Sequence, residues 1–219
     1  MATTALAVVN AVLRRLRETQ VTTFSASYTL LILDFVNEAK REVEDAWTWT
    51  HLRSTKSLDT VGGTQTYTLT GYGDRFKMYD RKKRLFDSTN KSYLYPLSGD
   101  KIEEYKWTTT SSNALPIYYR LIGDVSGDPT IELWPIPADV YALKVPVYIP
   151  QIDLVSITDS MTVPSLPVIM GAWARAISER GEDQGFKTTD QYLLYKDVLA
   201  DFIAMDAAHV DDETTWEAV

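Results

Sequence analysis

The strongest periodic signal in the chain lies in residues 27–51, where apolar side chains recur at steps of three and four. This spacing places them along one side of a helix. Opposite charges stand one turn apart on the other side, in the pairs Lys40–Glu44 and Arg41–Asp45, which is typical of a solvent-exposed helix face. We therefore predict a helix of roughly 24 residues, about 36 Å long. It should end at two closely spaced tryptophans and be covered by elements from later in the chain.

The same spacing predicts three further helices, over residues 2–17, 168–180 and about 188–209. Thr3 or Thr4 can cap the first of them, and the short connection that follows it favours an antiparallel helical hairpin. The predicted core residues of the helices are Tyr28, Leu31, Phe35, Trp47, Trp173 and Phe202.

Between these helices the apolar period changes from 3.6 to two, which is the period of a strand. Residues 53–58 and 65–69 flank a Gly62–Gly63 turn and predict a hairpin. Residues 102–107 are compatible with either a short helix or a strand. Further strands are predicted at residues 76–86, 93–96, 117–122, 130–134 and 141–149.

Together these elements predict an α+β fold, in which helices from both chain ends form an antiparallel helical bundle with a β-rich insertion between them. The bundle would comprise residues 1–52 and 163–210, and the insertion residues 53–162. Residues 211–219 are acidic and short of apolar side chains, so we expect them to form a mobile C-terminal arm.

Composition narrows the classes of protein to which this chain can belong. The 219 residues include no cysteine, which excludes disulfides, thiolate zinc sites and thiol nucleophiles. No apolar run approaches the length that spans a bilayer, and no signal peptide is recognised. The net charge of −8 is uneven, because residues 1–120 hold 17 Lys and Arg against 13 Asp and Glu, whereas residues 121–219 hold 5 against 17. This asymmetry suits a subunit whose one side meets another side of a neighbour; a solvated acidic surface is the plain alternative.

No arrangement of catalytic residues is recognised. The two histidines, His51 and His209, are far apart in the sequence, and the chain has no nucleophile elbow, phosphate-binding loop or dinucleotide fingerprint. His209 stands near the acids of the arm, but an exposed acidic terminus explains this better than a metal site. We therefore predict that the protein is not an enzyme and uses no cofactor or metal.

A basic cluster spans ten positions, with two aromatic residues among its charges. Its members are Arg75, Lys77, Arg81, Lys82, Lys83 and Arg84. Clustered Lys and Arg can contact the phosphates of DNA, but interspersed aspartates dilute the charge. An exposed hairpin, or a patch that docks on an acidic protein, fits the pattern better than a surface that wraps duplex DNA.

Four stretches carry a family resemblance. They are VNAVLRRL at residues 9–16, FVNEAKREVE at residues 35–44 with two tryptophans just after it, IELWPIP at residues 131–137 and AISERGED at residues 176–183. In this order the chain resembles the head-to-tail adaptor proteins of short-tailed bacteriophages, the tail tubular protein A class. The resemblance covers most of the chain.

This resemblance implies a structural virion protein that forms a dodecameric ring at the head–tail junction and assembles in the host cytoplasm. The ring would lie beneath the portal protein and receive the tail nozzle protein on its other face. Genomic DNA would pass through its lumen without sequence-specific binding, and no membrane would be involved. In related adaptors the C-terminal segment reaches onto the portal, so residues 211–219 would be a portal-docking arm. Its contacts would be Asp211, Asp212, Glu213, Trp216 and Val219.

Three other functions stay open at this point. The chain could be another ring component of a phage tail, such as a stopper or tail-completion protein. It could be a DNA-binding accessory factor that uses the basic cluster. A hydrolase with an unrecognised site is the third, and the missing nucleophile and metal motifs disfavour it.

Overall fold

The computed structural model describes residues 3–78, 83–109, 113–125, 127–181 and 190–208. In this part of the chain the helices are α1 (Ala5–Arg15), α2 (Ser27–Ala46), α3 (Gly99–Thr108), α4 (Ser165–Glu179) and α5 (Asp190–Ala207). The strands are β1 (Arg53–Asp59), β2 (Thr66–Thr68), β3 (Lys77–Met78), β4 (Leu85–Asp87), β5 (Ser92–Pro96), β6 (Tyr118–Val125), β7 (Asp128–Trp134) and β8 (Ala142–Tyr148). The chain divides into two compact units, a first unit of Met1–Leu52 with Gln151–Val219 and a second unit of Arg53–Pro150.

The predicted fold class, a helical bundle from the chain ends with a β-rich insertion, is wrong. The protein is mixed α/β, with a curled half-barrel sheet of eight strands and five helices among the described residues. The physical reason is that alternating apolar residues in the strands build a hydrophobic core of their own, so the sheet is a principal element of the fold. That core consists of Leu69, Tyr72, Leu85, Leu94, Tyr119, Ile131, Leu133, Leu143, Val145 and Val147.

Strand pairing also differs from the local expectation. The strand order is β1-β8-β4-β5-β6-β7-β2, with β3 beside β8, so β1 and β2 do not form the predicted hairpin. Instead β1 pairs with β8, where Leu58 lies opposite Leu143, and β2 pairs with β7, where Tyr67 lies opposite Ile131. Burial of these apolar pairs over long sequence separations outweighs the glycine turn between β1 and β2. The undecided residues 102–107 belong to a helix, α3.

In the first unit, α2 packs on α4, α4 packs on α5, and α1 packs on both α2 and α4. The helices approach one another closely at Gly171. A Cβ atom built there would lie 3.1 Å from the Cβ of Ala39 in α2 and 3.2 Å from the Cε2 of Tyr195 in α5. Gly171 therefore lets three helices approach one another closely.

The buried side of α2 is rotated relative to the predicted stripe. Its buried residues are Thr29, Ile32, Leu33, Val36, Asn37, Ala39, Lys40, Val43 and Glu44. The expectation that Lys40 and Glu44 lie on a solvent-exposed face is therefore wrong, because both side chains have backbone partners inside the unit. The six predicted core residues, Tyr28, Leu31, Phe35, Trp47, Trp173 and Phe202, are each half-buried.

The long helix also ends earlier than predicted, at Ala46. Trp47 leaves the helix in an extended conformation, with φ of −146° and ψ of 165°. This turn in the chain brings Trp49 back against the helix, where its ring is fully buried and its Nε1 donates to the carbonyl oxygen of Val43 at 2.6 Å. Trp49, rather than Trp47, is the buried tryptophan at this end of α2.

Candidate interaction surfaces

The segment between β8 and α4, residues 151–162, contacts α2 with its first residues and α1 with its later ones, and it is called here the α2-bound segment. Its middle is held by Asn37. The Oδ1 of Asn37 accepts from the backbone nitrogen of Leu154 at 2.8 Å, and its Nδ2 donates to the carbonyl oxygen of Leu154 at 3.0 Å. A single buried amide thus supplies both hydrogen bonds that a neighbouring strand would make, which satisfies the backbone polar groups of Leu154.

The start of the segment is held by a buried charge pair. The Nζ of Lys40 donates to the carbonyl oxygens of Gln151 and Ile152, at 2.7 Å and 2.9 Å, and lies 3.4 Å from the Oε1 of Glu44. The same carboxylate accepts from the backbone nitrogen of Gln151 at 3.2 Å. Both charged side chains are fully buried. The direct polar contacts described above offset the cost of their desolvation.

The far end of the segment is tied by Asp159. Its Oδ2 accepts from the backbone nitrogens of Val155 and Ser156, at 2.8 Å and 2.7 Å, and these hydrogen bonds lower the pKa of Asp159. Its carbonyl oxygen accepts from the backbone nitrogen of Ala5 in α1 at 2.7 Å. The segment is therefore attached to two helices of the first unit.

Two aliphatic side chains project from this fixed backbone into solvent. Ile152 is 86% exposed and Val155 is 76% exposed. Their backbone position is set by the contacts of Asn37, Lys40 and Asp159, so little conformational entropy would be lost when a partner covers them. Sequence reasoning missed both residues, although two large aliphatic residues in a polar connection are a signal that could have marked them.

Helix α5 is attached at both ends to the rest of the first unit. Near its C-terminus the buried carboxylate of Asp206 accepts from the Nε1 of Trp47 at 3.0 Å, and from the backbone nitrogen and Oγ1 of Thr50 at 3.1 Å and 2.7 Å. In its first half the fully buried ring of Tyr195 lies against α4. These contacts fix which side of α5 faces outward.

Glu42 in α2 joins three helices through charge. One carboxylate oxygen lies 2.6 Å from the Nη2 of Arg175 in α4, and the other lies 2.6 Å from the Nζ of Lys196 in α5. Partial burial acts to raise the pKa of Glu42, but the hydrogen bonds and positive charges of Lys196 and Arg175 outweigh it, so the pKa is lower than usual.

The outward side of α5 carries three large apolar residues. Leu193 is 54% exposed, Leu194 45% and Met205 51%. Between them the exposed positions are Lys196, Asp197, Ala200, Asp201 and Ala204. The outward side therefore mixes apolar and acidic residues, because Asp197 and Asp201 lie between Leu193 and Met205 around the helix. The inward side carries Tyr195 and Leu199. We call this outward side the outer face of α5.

The basic cluster does not form one exposed hairpin among the described residues. Lys77 belongs to β3, and Arg75 and Arg84 lie outside the strands, half-buried; Lys83 is exposed. The guanidinium of Arg84 lies 4.3 Å from the centre of the Tyr93 ring, a cation–π contact. The predicted contacts Arg81 and Lys82 lie outside the described residues.

Two further basic residues share the outer side of the sheet and were missed from the sequence. The Nε of Arg53 donates to the Oη of Tyr148 at 3.1 Å, and the Nζ of Lys144 donates to the Oγ of Ser57 at 2.7 Å. Lys144 alternates with buried Leu143 along β8, so strand alternation alone could have placed it on this side.

A network of four charges attaches α3 to the sheet. Arg120 in β6 pairs with Glu132 in β7 and, at 2.5 Å, with Glu103 in α3. Lys106 of α3 lies 2.6 Å from Glu132 and 3.1 Å from Glu103. The two acids are matched by two bases, so the network is structural. At the end of α3, Trp107 is 83% exposed.

The described ranges bring no metal-binding group of three His, Cys, Asp or Glu side chains together. Among the helices of the described residues, none is both long and apolar enough to cross a membrane. The predicted portal-docking contacts, Asp211, Asp212, Glu213, Trp216 and Val219, lie outside the described residues.

Comparison with known proteins gives one result that covers both units. Residues 3–215 match the sequence model of a family described as SU10 adaptor protein. No curated protein matches the chain.

The buried Lys40–Glu44 pair predicts that substitutions at Lys40 and Arg41 change the free energy of unfolding by different amounts. We expect Lys40→Ala to lower the free energy of unfolding by about 3–5 kcal/mol, because it leaves a buried carboxylate and two carbonyl groups without their cation. Arg41→Ala is the matched control. It breaks an exposed pair with Asp153 and should cost about 0–1 kcal/mol. Urea unfolding of the two variants and the wild type measures both values, and equal losses would contradict the role given to Lys40.

The Glu42 contacts predict a pH dependence. Because folding lowers the pKa of Glu42, this group stabilises the folded state above the ordinary glutamate pKa of about 4.3. That contribution is lost as the pH falls through the lower pKa of the folded state. We expect Glu42→Gln to be less stable than the wild type at pH 7 and to lose less stability between pH 5 and pH 3. Urea unfolding across this pH range is the measurement. Asp34→Asn, at an exposed position of the same helix, is the control and should keep the acid dependence of the wild type.

Proposed function

This chain belongs to the SU10 adaptor protein family, whose members are phage structural adaptors, and we propose that it forms a ring at the head–tail junction of a virion. In this proposal one side of the ring binds the portal protein and the other receives the tail nozzle. DNA passes through the lumen, and twelve copies complete the ring. The protein assembles in the host cytoplasm and acts by joining surfaces, without catalysis.

The observation that carries the proposal is the family match along residues 3–215. It is supported by large apolar side chains that are exposed to solvent on a well-fixed backbone. These are Ile152 and Val155 in the first unit and Trp107 in the second. Exposed aromatic and aliphatic residues on a rigid frame are typical of protein–protein interfaces.

Charge gives a second line of support. The second unit, residues 53–150, contains 13 Lys and Arg against 11 Asp and Glu, whereas the rest of the chain contains 9 against 19. A subunit with one nearly neutral part and one strongly acidic part presents different surfaces to different partners. Acidic residues that face a lumen would also keep DNA from adhering to the ring wall.

Electron microscopy of the purified protein mixed with its portal protein tests the proposal. We expect rings that cap one end of the portal. A stopper or tail-completion protein would instead bind only after another ring is in place. Salt-sensitive binding of single copies to plain duplex DNA, with no binding to the portal, would overturn the proposal in favour of a DNA-binding accessory factor.

The proposed portal-docking arm gives a separate prediction. Deleting residues 211–219 should leave the thermal unfolding midpoint unchanged and weaken binding to the portal, because the arm would order only on its partner. Calorimetry and sedimentation with the portal measure the two effects. Trp216→Ala should reproduce most of the loss if the ring of Trp216 is the anchor, whereas joint Asp211→Asn, Asp212→Asn and Glu213→Gln changes test the charges alone. If the truncated protein unfolds, residues 211–219 belong to the core and are not an arm.

A further inference from the structure

We propose that Asp206 positions the proposed portal-docking arm by fixing the end of α5, from which the arm would leave. Asp206 stands five positions before Asp211, the first residue of that arm. It can act in this way only if the arm binds the portal protein, so the inference rests on the proposed function. Asp206 itself touches no partner in this role. Together with its hydrogen-bond donors, Trp47 and Thr50, it forms what we call the α5 latch.

The α5 latch is built around a carboxylate that accepts hydrogen bonds on both of its oxygens. Asp206 is 6% exposed. Its Oδ2 accepts from the Nε1 of Trp47 at 3.0 Å and from the backbone nitrogen of Thr50 at 3.1 Å, and its Oδ1 accepts from the Oγ1 of Thr50 at 2.7 Å. Hydrogen bonds to a charged acceptor are stronger than those between neutral groups. These contacts fix both the position and the direction of the helix end.

Apolar packing alone does not hold this end of α5. The buried residues of the helix are Tyr195, Leu199 and Asp206, so the buried side chain of α5 that follows Leu199 is the charged one. Met205, in the last turn, lies on the outer face of α5 and is 51% exposed. Phe202 is half-buried and borders a cleft of about 570 Å³. The polar contacts of Asp206 therefore do what tertiary packing of an apolar side does for most helices.

Charge makes the placement of Asp206 unusual. The last turn of α5 contains no basic residue, and the free carbonyl groups at a helix C-terminus carry partial negative charge, which disfavours a carboxylate there. Helix propensity thus gives no reason for an acid at this position. Departures of this kind are expected where function requires them, and this one stands where the chain passes from α5 toward the arm.

The α5 latch strengthens portal binding by reducing the number of residues that must be ordered when the arm docks. Helix ends open easily when few contacts hold them. Without the α5 latch the end of α5 would fray, and its residues would add to the conformational entropy lost on docking. The other side of the α5 latch is itself fixed, because Trp49 is fully buried and its Nε1 donates to the carbonyl oxygen of Val43 at 2.6 Å. The arm therefore starts from a fixed point of the first unit.

Binding to the portal protein in a double-mutant cycle tests the inference. The compared chains are the wild type, Asp206→Ala, the chain without residues 211–219, and the chain with both changes. We expect Asp206→Ala to weaken portal binding about tenfold in the full chain, because residues of the helix end must then be ordered on docking. In the chain without residues 211–219 the same substitution should change the affinity by about twofold at most, because no arm is left to position.

Two further variants separate the hydrogen bonds of the α5 latch from its charge. Asp206→Asn keeps an oxygen for the Nε1 of Trp47 and the backbone nitrogen of Thr50, and its Nδ2 can donate to the Oγ1 of Thr50. It should therefore keep the affinity within about threefold of the wild type. Thr50→Val removes a single donor and should weaken binding less than Asp206→Ala does, again only in the full chain. Asp201→Ala, at an exposed position of the same helix, is the matched control and should bind as the wild type does.

Amide hydrogen exchange measures the α5 latch without the portal protein. We expect the amides of residues 203–208 to exchange about tenfold faster in Asp206→Ala than in the wild type, while those around Tyr195 and Leu199 keep their protection. Circular dichroism checks that each variant folds. If Asp206→Ala does not fold, Thr50→Val decides the same comparison, because it leaves the carboxylate with the donors of Trp47 and of the Thr50 backbone position.

The outcomes separate this inference from the proposed function. Equal weakening by Asp206→Ala in the full and the truncated chain would show that Asp206 acts through the body of the first unit, which overturns the inference. Unchanged portal binding, or unchanged exchange at the end of α5, would overturn it as well. In each of these cases, weaker binding on truncation leaves the proposed arm intact. If truncation itself leaves portal binding unchanged, the arm and the α5 latch both fail, and electron microscopy decides separately whether the chain forms a ring.

Discussion

The arrangement of the first unit depends on the fully buried ammonium group of Lys40. An ammonium taken out of water costs several kcal/mol, and attraction to a single carboxylate repays this only with good geometry. Here all three donors of the ammonium are used, by two backbone carbonyl groups and Glu44. Because Glu44 also accepts from the backbone of Gln151, the charge pair can be satisfied only when the α2-bound segment is in place. The helix and the segment therefore order one another.

This dependence explains why α2 can recognise an extended backbone where a further helix would otherwise pack. Its buried side is apolar at Val36 and Val43 and polar at Asn37 and Lys40. The apolar residues pack within the unit, while the polar ones satisfy carbonyl and amide groups that a strand would have to pair with another strand. On α5, Asp206 fulfils a similar role for the chain around Thr50. Buried polar groups thus determine which apolar residues are exposed to solvent. Exposed apolar residues at fixed positions suit a protein that binds other proteins.

Sequence periodicity predicted the existence of elements well and their partners poorly. The helix at residues 27–51 and the strand pair β6–β7 follow from patterns within a few residues of each other. The helix is present in shorter form, and both strands are longer than predicted. The side of α2 that is buried was missed, because Lys40 and Glu44 look like an exposed ion pair unless the backbone at Gln151 is known. The pairing of β1 with β8 was missed for the same reason. Such contacts join residues about a hundred positions apart, and no local pattern encodes them. Most residues of the candidate surfaces could therefore not be predicted from the sequence. The family resemblance could be recognised, because it depends only on the order of short stretches.

The division of the chain has a consequence for its synthesis. The second unit is one continuous stretch, Arg53–Pro150, whereas the first unit takes its residues from both ends of the chain. Helices α1 and α2 leave the ribosome first but must wait for α4 and α5, through the translation of the whole second unit, which takes roughly 5–20 seconds at ordinary rates. Until then α2 has only α1 to pack on, and Lys40 stays hydrated until Gln151 and Ile152 are made. The second unit therefore has all of its residues before α4 and α5 exist, so its core can form while the first unit still lacks two of its helices.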